Sequence, residues 1–306
     1  MQPLVTVGVP VYNGGEALRR ALDAVLAQEY PNLEIIIADN ASTDQSPDLI
    51  REYASRRADI RVVRHQQNIG ASRNFVFLMG EARGKYFFWA SCDDSWHPQF
   101  VARNVALLES APEAGLALTG VDRIRDDFSP LDSLRFSGPL DPARLSHWRA
   151  AMNCASGVPY HLGVYGLWRL DFLRRVFRGY PLFFAADRLF MCGVALATRF
   201  TYVDEPLYVR TVHRASIADR YSAEGLGAAY ANPLRYCKSA LVAPFHLVRF
   251  PTLPPARRLL TPLVALRFSL HMMRVMWLQA IVPVLYRYVP RSVRTALKRT
   301  LRGSRS

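Results

Sequence analysis

Two adjacent carboxylates, Asp93 and Asp94, close the apolar run Tyr86-Phe87-Phe88-Trp89-Ala90. An unbroken apolar run of this length reads as a buried strand, which puts the pair at the strand's carboxyl edge. Like charges side by side repel each other. The arrangement becomes favourable when a divalent cation sits between them and a polyphosphate, and hard oxygen donors suit Mg or Mn. Taken alone, the two acids read better as the N-terminal cap of a helix expected after Pro98. A second acidic strand end argues against that: Leu33-Glu34-Ile35-Ile36-Ile37-Ala38 runs into Asp39-Asn40-Ala41-Ser42-Thr43-Asp44. Open α/β sheets bind ligands at the carboxyl edges of their strands.

The elements that must hold these acids alternate strand and helix over the first hundred residues. Val5 to Val9 reads as a strand, and Glu16 to Gln28 as a helix with Leu18, Leu22, Val25 and Leu26 on one face. Ile35 to Ala38 is a second strand, after which Ser46-Pro47 opens a helix as cap and first residue before Leu49, Ile50 and Tyr53. Ile60 to Val63 and Tyr86 to Ala90 supply two more strands, with Ala71 to Met79 helical between them. A βαβ series of this kind builds a mostly parallel sheet. Leu116 to Thr119 is a further strand. Asp126 to Pro159, rich in Pro, Ser, Asp and Gly and without a sustained period, is expected to be a long functional loop region. Regular structure is expected again over Gly163 to Trp168, in a helix from Ala186 to Ala197 and in a strand from Phe200 to Val203.

With 306 residues, half of them apolar, the chain can bury a substantial core as one large domain with an appendage or as two domains. Cys92, Cys154, Cys192 and Cys237 show neither metal-ligand spacing nor a disulfide framework, which fits a reducing cytosolic compartment. Met1-Gln2-Pro3 leads directly into the strand-like Leu4 to Val9, so no secretory leader is expected. The net charge of +14 is a property of the tail: residues 1 to 230 hold 25 basic against 25 acidic side chains, and residues 231 to 306 hold 14 against none.

Beyond Glu224 the composition becomes apolar and basic, broken by several prolines. The longest uncharged stretch in its second half, Val275 to Tyr286, is shorter than the roughly 20 residues that cross a bilayer, so no transmembrane helix is expected. Between Pro262 and Pro283, Arg267, His271 and Arg274 fall on one helical face and Leu266, Leu270, Met273 and Trp277 on another. Arg291, Arg294, Lys298 and Arg302 form a second basic stripe.

At the end of the first strand, Val9-Pro10-Val11-Tyr12-Asn13-Gly14-Gly15 has neither the Gly-x-Gly-x-x-Gly spacing of a dinucleotide site nor the Gly-Lys-Ser/Thr of a P-loop. Instead, four motifs occur in order: Pro10-x-Tyr12-Asn13, Asp39-Asn40-x-Ser42-x-Asp44, Asn68-x-Gly70-x-x-Arg73-Asn74, and Asp93-Asp94. This combination resembles glycosyltransferase family 2, whose catalytic domain has the GT-A fold. The likeness continues through Gly166-Leu167-Trp168-Arg169, Ala186-Asp187-Arg188 and Tyr208-Val209-Arg210-x-x-His213-x-x-Ser216, and so covers roughly residues 4 to 220.

The resemblance implies an α/β chain of GT-A type, with a Rossmann-like sheet flanked by helices and a C-terminal basic amphipathic helical extension. Residues 1 to 230 would form the catalytic domain, with a nucleotide-binding half to about residue 120 and an acceptor half beyond it; residues 231 to 306 would form the extension. Asp39 would contact the nucleobase with help from Pro10, Tyr12, Asn13, Asn68 and Arg73, and Asp93 would contact the ribose. The resemblance assigns a divalent cation, Mg or Mn, to Asp94 and His213. Ser91 stands where relatives carry the first acid of an Asp-x-Asp-Asp motif, which leaves Asp93 open as the metal ligand. Asp187 resembles the family's general base, which takes the acceptor proton during direct displacement with inversion. Its alternative is a helix N-cap.

The leading expectation is an inverting, metal-dependent transferase using a nucleoside-diphosphate sugar, with UDP- or dTDP-sugars favoured. It would act at the cytoplasmic face of the membrane on a saccharide or lipid-linked acceptor. A non-catalytic, membrane-associated nucleotide-sugar-binding protein is the alternative. Nucleic acid ranks last as a partner, because residues 1 to 230 are charge-neutral and the tail's arginines are interleaved with large apolar residues. That mixture suits an anionic bilayer surface and peripheral attachment; the alternative is a helix packed on the catalytic domain with its basic stripe solvated.

Overall fold

The computed structural model describes residues 2–57, 59–177, 186–213 and 234–278. Its centre is strand β1 (Val5–Val11), which is buried on both faces as expected for a strand inside a parallel sheet covered by helices. β2 (Leu33–Asp39) and β4 (Tyr86–Trp89) flank it in parallel, and β3 (Ile60–Arg64) pairs with β2. Helices α1 (Gly15–Leu26), α2 (Ser46–Arg56) and α3 (Ala71–Glu81) make the crossovers. Because side chains alternate along a strand, Ile35 and Ile37 face the core under α1 and α2, whereas Ile36 and Ala38 face the core under α3.

Beyond β4 the sheet becomes mixed. β8 (Leu167–Arg169) runs antiparallel to both β4 and β6 (Ala114–Arg125), and β9 (Arg199–Val212) runs parallel to β6. The short β5 (Ser95–Trp96) closes the outer edge against β9, giving the order β3-β2-β1-β4-β8-β6-β9-β5, with β7 (Pro130–Leu134) added onto β6. Helix α4 (Phe100–Ser110) follows β5. The α/β class, the helix-flanked sheet with its parallel half and the C-terminal helices agree with the sequence reading.

The segment expected to be an irregular loop is the main correction. Residues 126–159 contain β7 and a helix, α5 (His147–Ser156). Ser146 caps α5 by accepting from the Arg149 N–H at 3.3 Å, and Gly157 ends it at φ 103°, in the left-handed region that favours glycine. Its buried residues are Ala150, Ala151, Cys154 and Ala155, small side chains that leave a faint apolar period. The strands expected over Leu116 to Thr119 and Phe200 to Val203 are also longer than expected. They extend because β6 and β9 pair with each other to Arg125 and Val212.

Two further helices, α6 (Leu170–Phe177) and α7 (Ala186–Ala197), lead to the C-terminal part, formed by α8 (Leu234–Val248), α9 (Pro255–Arg258) and α10 (Thr261–Met276). Ala243, Leu247, Phe250, Val264, Phe268 and Met272 share one core with Leu189, Phe190 and Leu196 of α7. The apolar face foreseen for α10 is therefore not the packed one. Leu266, Leu270, Met273 and Trp277 are 57, 57, 40 and 50 % exposed, while Val264, Ala265, Phe268 and Met272 turn inward. Of the basic face, Arg267 donates from Nε to Ser156 Oγ at 2.7 Å, and the His271 ring covers Gly157. The run Pro255–Met276 is also long and apolar enough to cross a membrane by length and composition, with 28 % of its most apolar 18 residues buried. A count of wholly uncharged residues did not reveal it. The stripe Arg291, Arg294, Lys298 and Arg302 lies outside the described residues.

The seating of the C-terminal segment on α7 has a direct test. A Cβ at Gly193 would lie 2.3 Å from Phe250 Cδ2, and Phe250 is wholly buried. Gly193→Ala is expected to lower stability by about 1–3 kcal/mol through overpacking. Urea unfolding measures this, and an unchanged midpoint would show that Phe250 does not sit there.

Candidate functional site

The carboxyl ends of β1 and β2 are stitched together by the motif residues. Asn13 takes φ 48°, a left-handed conformation that Asn tolerates, and its Oδ1 accepts from the Thr43 N–H at 2.9 Å. The N–H groups of Asn13, Gly14 and Gly15 donate to Ser42 Oγ, Ser46 Oγ and Asp44 Oδ2, each at 2.9 Å. Ser42, Asp44 and Ser46 thus shape the turn after Pro10, beside which Tyr12 is half-buried. Asn68 is held the same way, its Oδ1 accepting from Asn40 Nδ2 at 2.7 Å and from the Gly70 N–H at 2.8 Å. Arg73 projects, exposed, from the first turn of α3.

Asp39 lies inside this framework at 1 % exposure. Its Oδ1 accepts from the Ser42 N–H at 2.9 Å, and its Oδ2 is buried without a hydrogen bond, with Arg64 Nε 3.4 Å away. A buried carboxylate oxygen in that condition is costly unless a donor completes it.

The two strand-end aspartates are treated very differently by the fold. Asp94 is turned inward at 3 % exposure, accepting from the Thr211 N–H at 2.9 Å and from the Tyr208 hydroxyl. Burial, with Asp93 alongside, pushes its carboxyl up to about 7 against the pull of Arg210. Asp93 is turned outward. Its Oδ2 lies 2.8 Å from His213 Nε2, its Oδ1 accepts from Ser91 Oγ, and its carbonyl accepts from Thr211 Oγ1. His213 Nδ1 in turn meets Asp126 Oδ1. The β6–β9 register explains that contact: Arg125 is opposite Val212, so the next residues, Asp126 and His213, leave the sheet together.

A carboxylate oxygen and an imidazole nitrogen 2.8 Å apart form a donor set that fits a divalent cation. The contact from Asp126 to the other ring nitrogen is the kind that fixes a ligand histidine's tautomer. Among the described residues no three His, Cys, Asp or Glu side chains converge on one point, so the remaining positions would fall to phosphate and water.

Asp187 sits in the first turn of α7, where its Oδ1 accepts from the Arg188 N–H at 2.8 Å. Arg188 Nη1 donates to the carbonyls of Cys154 at 3.2 Å and Val158 at 3.4 Å, tying this end of α7 to the end of α5. The Tyr165 hydroxyl, pushed up by burial, lies within the fields of Arg210, Asp94, Asp93 and Asp187. Half-buried Tyr165 thus feels the charge of both the strand-end aspartates and Asp187. His161 joins them: burial pushes its imidazole down to about 4 against the pull of Asp187, and its Nδ1 is buried without a hydrogen-bond partner. Sequence reasoning gave no role to Asp126, His161, Arg210 or Tyr208. Arg210 and Tyr208 stood inside a quoted motif. Asp126 and His161 carry no local signal, since only the β6–β9 pairing and the turn over Pro159–Tyr165 bring them here.

With this geometry in place, the family follows. The sequence model of Glycosyl transferase family 2 matches residues 6–165, and the chain belongs to that family. An uncharacterized protein of Mycobacterium tuberculosis (strain ATCC 25618 / H37Rv) is 40 % identical over 120 residues, which are 38 % of this chain and 34 % of that protein. The putative teichuronic acid biosynthesis glycosyltransferase TuaG of Bacillus subtilis (strain 168) is 29 % identical over 131 residues, 43 % of this chain and 52 % of TuaG. The chain thus matches between about a third and a half of the length of these curated relatives. In fold it is similar to S. aureus TarS in complex with UDP-GlcNAc, with a TM-score of 0.65 at 18 % identity over 90 % of this chain and 76 % of TarS. It also resembles the mannosyltransferase PcManGT from Pyrobaculum calidifontis in complex with GDP-Man and Mn2+, with a TM-score of 0.56 at 20 % identity over 97 % of this chain and 81 % of that one.

Proposed function

We propose that this chain transfers a sugar from a nucleoside-diphosphate sugar to a hydroxyl acceptor with inversion, in the assembly of a cell-surface polysaccharide or glycolipid. Asp93 beside His213, at a sheet edge shared with the incompletely bonded Asp39, is the observation that carries this reading. Asp39 Oδ2 suits the ring N–H of uracil or thymine, which favours UDP- or dTDP-sugars. The turn carrying Pro10, Tyr12 and Asn13, together with Asn68 and Arg73, frames the nucleotide.

Because Asp94 is turned inward, we assign the metal to Asp93 and His213, with Asp126 orienting His213 and Asp94 bonded to β9 through Tyr208 and Thr211. A divalent cation bound there would place positive charge on the diphosphate as it departs. Asp187 accepts the acceptor hydroxyl proton, the oxygen forms a bond to the anomeric carbon, and the bond from that carbon to the phosphate oxygen breaks with its electron pair leaving on the diphosphate. Arg210, in the field of Asp93 and Asp94, offsets part of their negative charge when the donor is absent. The catalytic part is taken as residues 1 to 230 and the remainder as an attachment extension working at the cytoplasmic face of a membrane.

Thermal shift with UDP-, dTDP- and GDP-sugars, each with Mn2+ and with chelator, tests the reading, because a ligand bound only by the native state raises apparent stability. A uridine or thymidine diphosphate sugar is expected to stabilise the protein in Mn2+ and much less in chelator. Equal shifts in both would remove the metal from the mechanism.

A further inference from the structure

We propose that the outer face of α8 and α10 is the surface by which this protein lies on an anionic lipid bilayer. The inference deepens the membrane-surface reading above and rests on it for the location of the acceptor. Along the C-terminal run, Leu259, Leu263, Leu266, Leu270, Met273 and Trp277 recur at alternating steps of four and three, and they are 80, 54, 57, 57, 40 and 50 % exposed. That spacing lines one side of a helix. On α8, Leu241, Phe245 and Val248 repeat the pattern at 74, 67 and 45 % exposure.

These stripes are separate from the apolar residues that hold the two helices in place. Ala243, Leu247, Val264, Phe268 and Met272 are buried, and Ser269 Oγ donates to the Ala240 carbonyl at 2.8 Å across the helix pair. Scattered exposed leucines are ordinary on a protein surface, whereas an exposed apolar stripe on each of two paired helices marks an interaction surface.

Charge selects the occupant. Residues 231 to 306 carry 14 basic side chains and no acidic one, and Lys238 and Arg274 on these helices and Arg249 just after α8 are exposed. A second copy would bring like charges together, while an anionic lipid surface neutralises them. The run Pro255–Met276 is long enough to span a bilayer, yet its other side is fixed to the protein through Val264, Phe268 and the Arg267–Ser156 hydrogen bond. It therefore lies along the interface, with its leucines in the acyl boundary and its arginines among the head groups. The same contacts fix this face relative to the end of α5 that Arg188, the neighbour of Asp187, also binds.

Flotation of the full chain with vesicles of phosphatidylcholine, with and without phosphatidylglycerol, at low and high salt tests this. Wild type should float with the anionic vesicles, losing part of the association in high salt and keeping a residual part. Leu263→Ser/Leu266→Ser/Leu270→Ser should lower partitioning roughly a hundredfold, as expected for removing several half-buried leucines, and Lys238→Glu/Arg249→Glu/Arg274→Glu should remove the salt-sensitive part. Both variants should keep the wild-type thermal shift with uridine nucleotide, since all six positions are exposed. Recovery of wild type in the soluble fraction, or flotation of the serine variant equal to wild type, overturns the proposal. So does a wild-type dimer in sedimentation that the serine variant dissolves, which would assign the face to a second copy. Flotation as expected without any nucleotide shift in wild type would leave the bilayer surface standing and overturn the transferase reading instead.

Discussion

Asp187→Asn is expected to leave donor binding close to wild type while lowering transfer by roughly a hundredfold or more, the range of a positioned general base. Asp187 belongs to α7, whereas the proposed nucleotide contacts come from the ends of β1, β2 and β4 and from α3. A base acting only on the acceptor proton contributes to the transition state and hardly to the bound donor, so the loss should appear in kcat. The asparagine keeps an oxygen able to accept from the Arg188 N–H, so the first turn of α7 should stay intact. Nucleotide binding by thermal shift and transfer to the acceptor, measured on the same preparation, separate the two roles. Near-normal turnover would make Asp187 a helix cap.

Asp93→Asn should abolish most of the Mn2+ enhancement of nucleotide binding and lower kcat/KM by on the order of a hundredfold or more, as expected when charge stabilisation of a leaving group is lost. Asp94→Asn should act chiefly on stability. Its carboxylate is enclosed by the Tyr208 hydroxyl, the Thr211 N–H and the nearby Arg210, and a neutral amide there weakens the bonds that hold β9 against the strand end. Urea unfolding together with nucleotide affinity in Mn2+ and in chelator distinguishes the two sites. Retained metal coupling in Asp93→Asn together with its loss in Asp94→Asn would return the metal to Asp94.

The contrast between these neighbours shows where local sequence information stops. The apolar run Tyr86 to Ala90 and the abrupt change to Asp93-Asp94 place two acids at a strand edge, because burial and the covalent chain determine that much. Which acid turns inward depends on β5 pairing with β9 and on Tyr208 and Thr211, more than a hundred residues later. No local pattern encodes that choice.

The same division runs through the chain. The alternation of apolar strands with amphipathic helices made the parallel half legible down to individual residues such as Leu18, Leu22 and Tyr53, since each element's apolar period reflects its own burial. The motifs around Pro10, Asp39 and Asn68 were legible as neighbouring strand ends, where most of their polar side chains prove to be stitches between two turns. α5 escaped because alanines and a cysteine fill its inner face, where close approach to α7 matters more than bulk. For α10, composition established that the helix is apolar and basic. Tertiary packing decided which apolar side was consumed, because α10 packs on α5 and α8 through Val264, Phe268 and Met272 and leaves the leucine stripe outside. By itself the sequence determined the family, the strand edges and the charge of the tail. Only the tertiary structure decided which carboxylate faces His213 and which apolar face reaches solvent, since both depend on contacts between segments far apart in the chain.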